Sequence, residues 1–184
     1  MTKARDLASG GFGLVLIKPS SVVNGTDNGK GTVSFSAAST VSLNDVFSTN
    51  YTNYKIVHSF TSTANGDLAF RFRVSNADNT TSSYKRGRMY VGSVDSLAFG
   101  SDNQTVTSGF FFNAAKTGSN NLTTAEVSNP FATQTTPIQI ETSGRFFISS
   151  AGQFDGATSF TGFTVYCDGA FTMTGEISVY GYNK

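Results

Sequence analysis

Proton transfer, nucleophilic attack and metal binding need His, Cys, Asp, Glu or an activated Ser held within reach of one another. This chain of 184 residues supplies them sparsely, with one histidine, His58, and one cysteine, Cys167. His58 lies in YKIVHSF, on the same alternating face as Tyr54, Ile56 and Phe60, so it reads as a strand residue of the core rather than a general base. One imidazole per chain provides one metal ligand per chain, and a His-based site would need three copies on an axis. Cys167 alternates with Phe163 and Val165 in FTVYC; it reads as a buried thiol, and a single cysteine makes no intrachain disulfide. No G-x-S-x-G elbow offers an activated serine. Acidic residues number 12, only three of them Glu. Asp27, Asp78, Asp95, Asp102, Asp155 and Asp168 fall mostly in turn-rich stretches, where short carboxylates bond to nearby backbone N–H groups. SNADN and GSDNQ lack the EF-hand spacing. Paired glycosidase carboxylates meet in space rather than in sequence, and nothing singles out a pair. The chain is therefore expected not to be an enzyme, and no catalytic, cofactor-binding or metal-binding residue is assigned.

Two groups of residues point to binding instead. Arg71 and Arg73 share one face of DLAFRFRV, and Arg86 and Arg88 follow a polar turn at 75–83. If the two stretches form a hairpin, the four arginines share its polar face. Like charges so placed want acids from neighbouring strands, or else an acidic protein surface or an anionic glycan. Tyr180 and Tyr182 share the polar face of the terminal stretch FTMTGEISVYGYNK, where they are expected to meet protein before sugar. Nucleic acid is a poor partner for these groups, because no basic-aromatic stacking platform accompanies the arginines and the net charge is only +1. No apolar run approaches the roughly 18 residues that span a bilayer, so membrane insertion is not expected.

The elements that must position these residues are strands. Hydrophobic residues make up 38% and charged residues 14%, both below the averages of roughly 45–50% and about 25%. Ser, Thr, Asn and Gly fill the difference, and these disfavour helix interiors. Seventeen phenylalanines supply an aromatic core. Alternation of period two recurs from end to end, in LVLI, GTVSFSA, YKIVHSF, DLAFRFRV, RMYV, GFFFN, NLTTAEV, PIQIE, RFFIS, TGFTVYC and the terminal stretch. Ten or eleven strands are expected, with Phe171, Met173, Ile177 and Val179 as core and with Gly175 and Gly181 at a bulge or close backbone approach. Turn formers crowd the gaps, as in NGTDNGKG and KTGSNN. SLNDVFSTNY, 42–51, is the best candidate for a helical turn, capped by Ser42 or Asn44. The expected fold is an all-β antiparallel sandwich, jelly-roll-like. A single domain over 14–184 follows a distinct N-terminal segment, 1–13, which has no apolar core of a secretory signal and suggests assembly in a cytoplasm.

Three stretches carry a family resemblance. VFSTNYTNYKIVHSFTST with the FRFRVS strand that follows, and the closing SFTGFTVYCDGAFTMTGEISVYGYNK, resemble segments of bacteriophage virion proteins. MTKARDLA resembles the start of tail-fibre and other appendage proteins of marine and cyanobacterial phages. The resemblance implies a virion structural protein without catalytic residues. Its partners would be the major capsid protein or tail proteins, and it would self-associate, three-fold symmetry being favoured. An extended arm containing Arg5, Asp6 and Leu7 would dock it. A capsid decoration protein is preferred because no shaft of repeats or coiled coil is present to extend a fibre; a short tail fibre or fibre-tip protein attaching to a host surface, with a surface glycan as a partner, stands as the alternative, and a free-standing carbohydrate-binding module, apart from the resemblance, as a further one.

Overall fold

The computed structural model describes residues 13–93, 96–106, 109–144 and 147–183. Sixteen strands occur among them, and no helix. In chain order they are β1 (Leu14–Leu16), β2 (Ser21–Val23), β3 (Thr26–Asp27), β4 (Thr32–Ala38), β5 (Thr40–Asn44), β6 (Asn53–Ser62), β7 (Gly66–Val74) and β8 (Ala77–Asp78). There follow β9 (Tyr84–Ser93), β10 (Ser96–Val106), β11 (Phe110–Ala115), β12 (Asn121–Ser128), β13 (Thr136–Ser143), β14 (Phe147–Phe154), β15 (Gly162–Asp168) and β16 (Met173–Tyr182). Five strands exceed the eleven expected: β2, β3 and β8 are pairings of two or three residues, too short to leave an alternation in the sequence, β5 takes the start of the stretch read as a helical turn, and β10 runs through the polar GSDNQ.

The strands form two antiparallel sheets. A ten-stranded sheet runs β10-β9-β14-β13-β12-β6-β16-β4-β3, with β1 also paired to β16; a six-stranded sheet runs β11-β7-β15-β5-β2, with β8 on β7. The chain is thus an all-β antiparallel sandwich, as its patterning requires. The expected inward faces are inward: Val33 and Phe35 on β4, Tyr54, Ile56, His58 and Phe60 on β6, and Leu68, Phe70 and Phe72 on β7 are all buried. Phenylalanines from both sheets fill the space between them. Phe70 stacks on Phe163, 4.9 Å between centroids, and Phe72 on Phe160 at 4.4 Å. Tyr84 of the large sheet meets Phe110 of the small one edge-on at 5.0 Å. Such offset and edge-to-face pairs add to area burial by setting ring orientation.

The terminal strand is central, not an edge: β16 lies between β6 and β4, with Phe171, Met173, Ile177 and Val179 buried. Both glycines mark close approaches. The β4–β16 register shifts between Met173 and Gly175, and a Cβ at Gly175 would lie 2.0 Å from the Ser59 carbonyl oxygen. A Cβ at Gly181 would enter the Tyr51 ring.

The helical turn expected at 42–51 does not form. Ser42 and Asn44 are not caps; both sit on β5, the Ser42 hydroxyl 2.8 Å from Thr164 Oγ1 and the Asn44 amide donating to Ser21 Oγ at 2.9 Å. Asp45 then takes φ +55°, and Val46 and Phe47 turn into the core. The buried Tyr54 hydroxyl clamps the segment: it accepts from the Ser48 backbone N–H at 2.8 Å and donates to the Ser48 carbonyl at 2.9 Å. Long-range burial and backbone pairing outweigh the weak local signal of a cap.

Candidate interaction surfaces

The four arginines do not share a hairpin. β7 belongs to the six-stranded sheet and β9 to the ten-stranded one, so Arg71 and Arg73 stand on a different sheet from Arg86 and Arg88. Arg73 is not an exposed surface residue but a buried one, 8% exposed and enclosed by polar groups on the outer side of the small sheet. Its Nε donates to Asn44 Oδ1 at 2.9 Å, and Nη1 reaches Thr164 Oγ1 at 2.9 Å, Ser42 Oγ at 3.1 Å and the Asp78 carboxylate. Nη2 donates to the Asn76 carbonyl oxygen. Asp78 lies on β8, which folds back onto β7 with Arg73 opposite it, and the Thr164 hydroxyl donates to the same carboxylate at 2.6 Å. This is a structural ion pair with its remaining donors satisfied, the condition under which a buried charge is tolerated.

The other three arginines face aromatic rings, an acid and a backbone carbonyl. Arg71 stacks over the Tyr166 ring at 4.5 Å. Arg86 donates to the Gly109 carbonyl at 3.1 Å, at the point where a Cβ on Gly109 would touch Arg71 Cγ at 3.0 Å. Arg88 lies 4.1 Å from the Phe111 ring centre and donates to Asp67 at 3.3 Å. β9 thus sends its arginines past the edge strand β11, and residues of two sheets gather without pairing. The sequence expectation of acids from neighbouring strands holds for Arg73 with Asp78 and for Arg88 with Asp67.

Tyr180 and Tyr182 share the outer face of the ten-stranded sheet, as their alternation requires. Register places Tyr180 opposite Lys55, Lys55 opposite Glu126, Glu126 opposite Gln139, Gln139 opposite Ala151, and Ala151 opposite Gly87. Directly opposed residues share a face, so these form one row across six strands. Tyr182, one step along, donates its hydroxyl to Glu126 Oε2 at 2.7 Å, while Lys55 Nζ donates to Glu126 Oε1 at 2.9 Å. Desolvation, then the hydrogen bond to the Glu126 carboxylate, push the Tyr182 hydroxyl up to about 12, so it remains a donor at neutral pH.

The row ends in small residues, and the surface is hollow there. A groove of about 460 Å³ is lined by Asn53, Glu126, Ser128, Gln139, Ala151 and Tyr182. A second depression of about 720 Å³ over β9 and β14 shares Ala151 and Gly152 with it. Sequence reasoning found Tyr182 but not Glu126, Gln139 or Asn53; their place on the polar face of alternating strands was the available signal, and their neighbours were not.

The groups best suited to proton transfer are withdrawn from both surfaces. His58 is fully buried, and neither ring nitrogen has a hydrogen-bond partner. Desolvation holds its pKa down to about 3, so it is neutral under ordinary conditions. Burial pushes the Cys167 thiol up to about 11, which suppresses the thiolate. Among the described residues, no group of three or more His, Cys, Asp or Glu side chains is placed to hold a metal ion. Arg5, Asp6 and Leu7 of the expected docking arm lie outside the described residues.

No protein-family model and no curated protein matches the chain. Similar solved structures include peanut lectin in complex with a nine-residue peptide, at 9% identity over 91% of this chain and 96% of that one, with a TM-score of 0.39. The exoplasmic/lumenal domain of VIP36 in its calcium- and mannose-bound form is 6% identical over 87% and 81%, with a TM-score of 0.40. The galectin LEC-6 of Caenorhabditis elegans is 9% identical over 85% and 94%, with a TM-score of 0.33.

Proposed function

We propose that this chain is a structural protein of a bacteriophage particle, a capsid decoration protein that binds and stabilises the particle surface. The observation that carries this reading is where the family-like segments fall. VFSTNYTNYKIVHSFTST supplies β6, FRFRVS lies in β7, and the closing segment supplies β15 and β16. β6 pairs with β16 in the centre of one sheet, and β7 pairs with β15 in the other. The resemblance therefore follows the framework of the sandwich rather than a scatter of surface loops. The withdrawn state of His58 and Cys167 favours binding over catalysis as the task.

In this role the sandwich is held to its neighbours by burial of surface against capsid subunits or further copies of itself, with residues 1–13 as an arm. A stable contact of this kind typically buries about 1,200–2,000 Å² in total. Exposed apolar side chains suit it: Met89 is 67% and Phe147 56% exposed, on adjacent strands of the outer face. Three-fold self-association is the expected symmetry. A short tail fibre is the second location, favoured by the MTKARDLA start. Quantitative mass spectrometry of purified particles of the encoding phage tests the proposal. Hundreds of copies per particle are expected for decoration, and a small multiple set by tail symmetry for a fibre. Absence of the chain from the particle ends both.

A further inference from the structure

The groove beside Tyr182 has the composition of a sugar site. A pyranose presents a face of C–H groups and a rim of hydroxyls. It needs a flat apolar platform flanked by groups that both donate and accept hydrogen bonds. Tyr182 is 37% exposed, and its ring is held by its hydroxyl bond to Glu126 and by backbone pairing of β16 with β1 at Leu14. A platform fixed before binding loses little rotamer freedom when a ligand arrives. Glu126 uses one lone pair of each oxygen on Tyr182 and Lys55, and each oxygen keeps another for a ligand hydroxyl. Gln139 and Asn53 line the same groove and bring amides, which donate and accept at once. Ala151 and Gly87 keep the floor low, so the cleft runs on toward β9 rather than closing over one ring. Its volume of about 460 Å³ lies within the roughly 300–1,000 Å³ of small-molecule sites.

We propose that this groove binds a neutral saccharide chain, with Tyr182 as the stacking platform and Glu126, Gln139 and Asn53 as the groups that read its hydroxyls. Neutrality follows from the charges present. Lys55 is paired with Glu126, and Lys85, further along the floor, with Asp155. Among the described residues, no arginine lines the Tyr182 groove itself; Arg86 and Arg88 border only the second depression, and their guanidinium groups meet Gly109 and Asp67. An acidic sugar would find no surplus positive charge in the groove. The proposal goes beyond a place on a particle and holds for the isolated protein.

The test uses the full-length protein and a panel of neutral gluco-, manno- and galacto-oligosaccharides, screened by saturation-transfer NMR and then titrated by calorimetry. At least one member of the panel is expected to bind with a micromolar to millimolar Kd. Tyr182→Ala is expected to weaken that binding about tenfold or more, as loss of an aromatic contact of about 1.4 kcal/mol does. Tyr182→Phe, which keeps the ring, is expected to stay within about threefold, corresponding to roughly 0.6 kcal/mol. Gln139→Ala, whose side chain is exposed on the outer face of β13, is the second variant; it is expected to weaken binding while leaving the thermal midpoint unchanged. Failure of every neutral oligosaccharide to bind the parent protein overturns the proposal, as does unchanged binding by both Tyr182→Ala and Gln139→Ala. Loss of self-association rather than of sugar binding in Tyr182→Ala would make the tyrosine a protein contact and likewise overturn it. None of these results depends on whether the chain is found on a particle.

Discussion

The imidazole of His58 lies parallel to the ring of Phe60, 4.4 Å between centroids and 7° from coplanar, with Phe112 stacked 5.7 Å away and Phe35 tilted at 5.6 Å. This box of rings accepts the neutral imidazole and rejects the charged one. The folded pKa is held down to about 3 from an ordinary 6.5. Between those two values the unfolded chain binds the proton and the folded chain does not, so stability rises with pH across that window. The contribution is fully present above pH 6.5 and is lost as pH falls toward 3. Denaturant midpoints measured at intervals from pH 7 to pH 3.5 are expected to decline steadily. His58→Leu, which removes the titrating group and two unsatisfied nitrogens, is expected to flatten that decline and to raise stability at pH 5 by about 1 kcal/mol or more. An unchanged pH slope in the variant would show that the carboxylates, not His58, set it.

Arg73 is expected to be a structural residue rather than a ligand-binding one. Replacing it with Ala leaves Asp78, Asn44, Ser42 and Thr164 facing an empty space, with a carboxylate among them. Breaking a buried pair in this way costs on the order of 3–5 kcal/mol. Arg73→Lys is expected to recover only part of the loss, since one ammonium cannot reproduce the guanidinium fork. Asp78→Asn, on a side chain 27% exposed, is expected to cost less than Arg73→Ala. Urea unfolding of the three variants checks the order.

Gly175 is expected to tolerate no side chain. The obstruction is backbone on the neighbouring strand: the Ser59 carbonyl at 2.0 Å and Phe60 Cα at 2.7 Å from an added Cβ. Gly175→Ala must push β16 away from β6 at the middle of the large sheet, and a loss of about 3 kcal/mol or failure to fold is expected. Gly118→Ala is the control, because its Cβ would meet nothing within 4 Å and only φ +69° opposes it. A cost of about 1–2 kcal/mol is expected there. Thermal midpoints of the two variants measure the difference.

Side-chain direction along a strand repeats every two residues, so it is a local property, and the sequence by itself determined it. That is why Tyr54, Ile56, His58 and Phe60, or Phe171, Met173, Ile177 and Val179, could be assigned to the core from spacing alone, and why Tyr180 and Tyr182 were known to share the other face. Close approaches at Gly175 and Gly181 were legible for a similar reason, since a glycine inside a strand pattern has no side chain to pack.

Which sheet a strand joins is not local, and only the tertiary structure decided it. β7 and β9 are separated in sequence by little more than the short β8, yet they lie in opposite sheets, and the expected arginine hairpin became a buried ion pair on one sheet and an edge-wrapping group on the other. Arg73 is buried because β5, β8 and β15 bring Ser42, Asn44, Asp78 and Thr164 to it, the last from 91 residues away. The Tyr182 groove is likewise a product of register: Glu126 reaches it from 56 residues upstream, and Gln139 and Ala151 follow only once β12, β13 and β14 are paired. Alternation says which way each side chain faces; the pairing of distant strands says what it faces, because the entropy of closing those loops is overcome only by the packed sandwich as a whole.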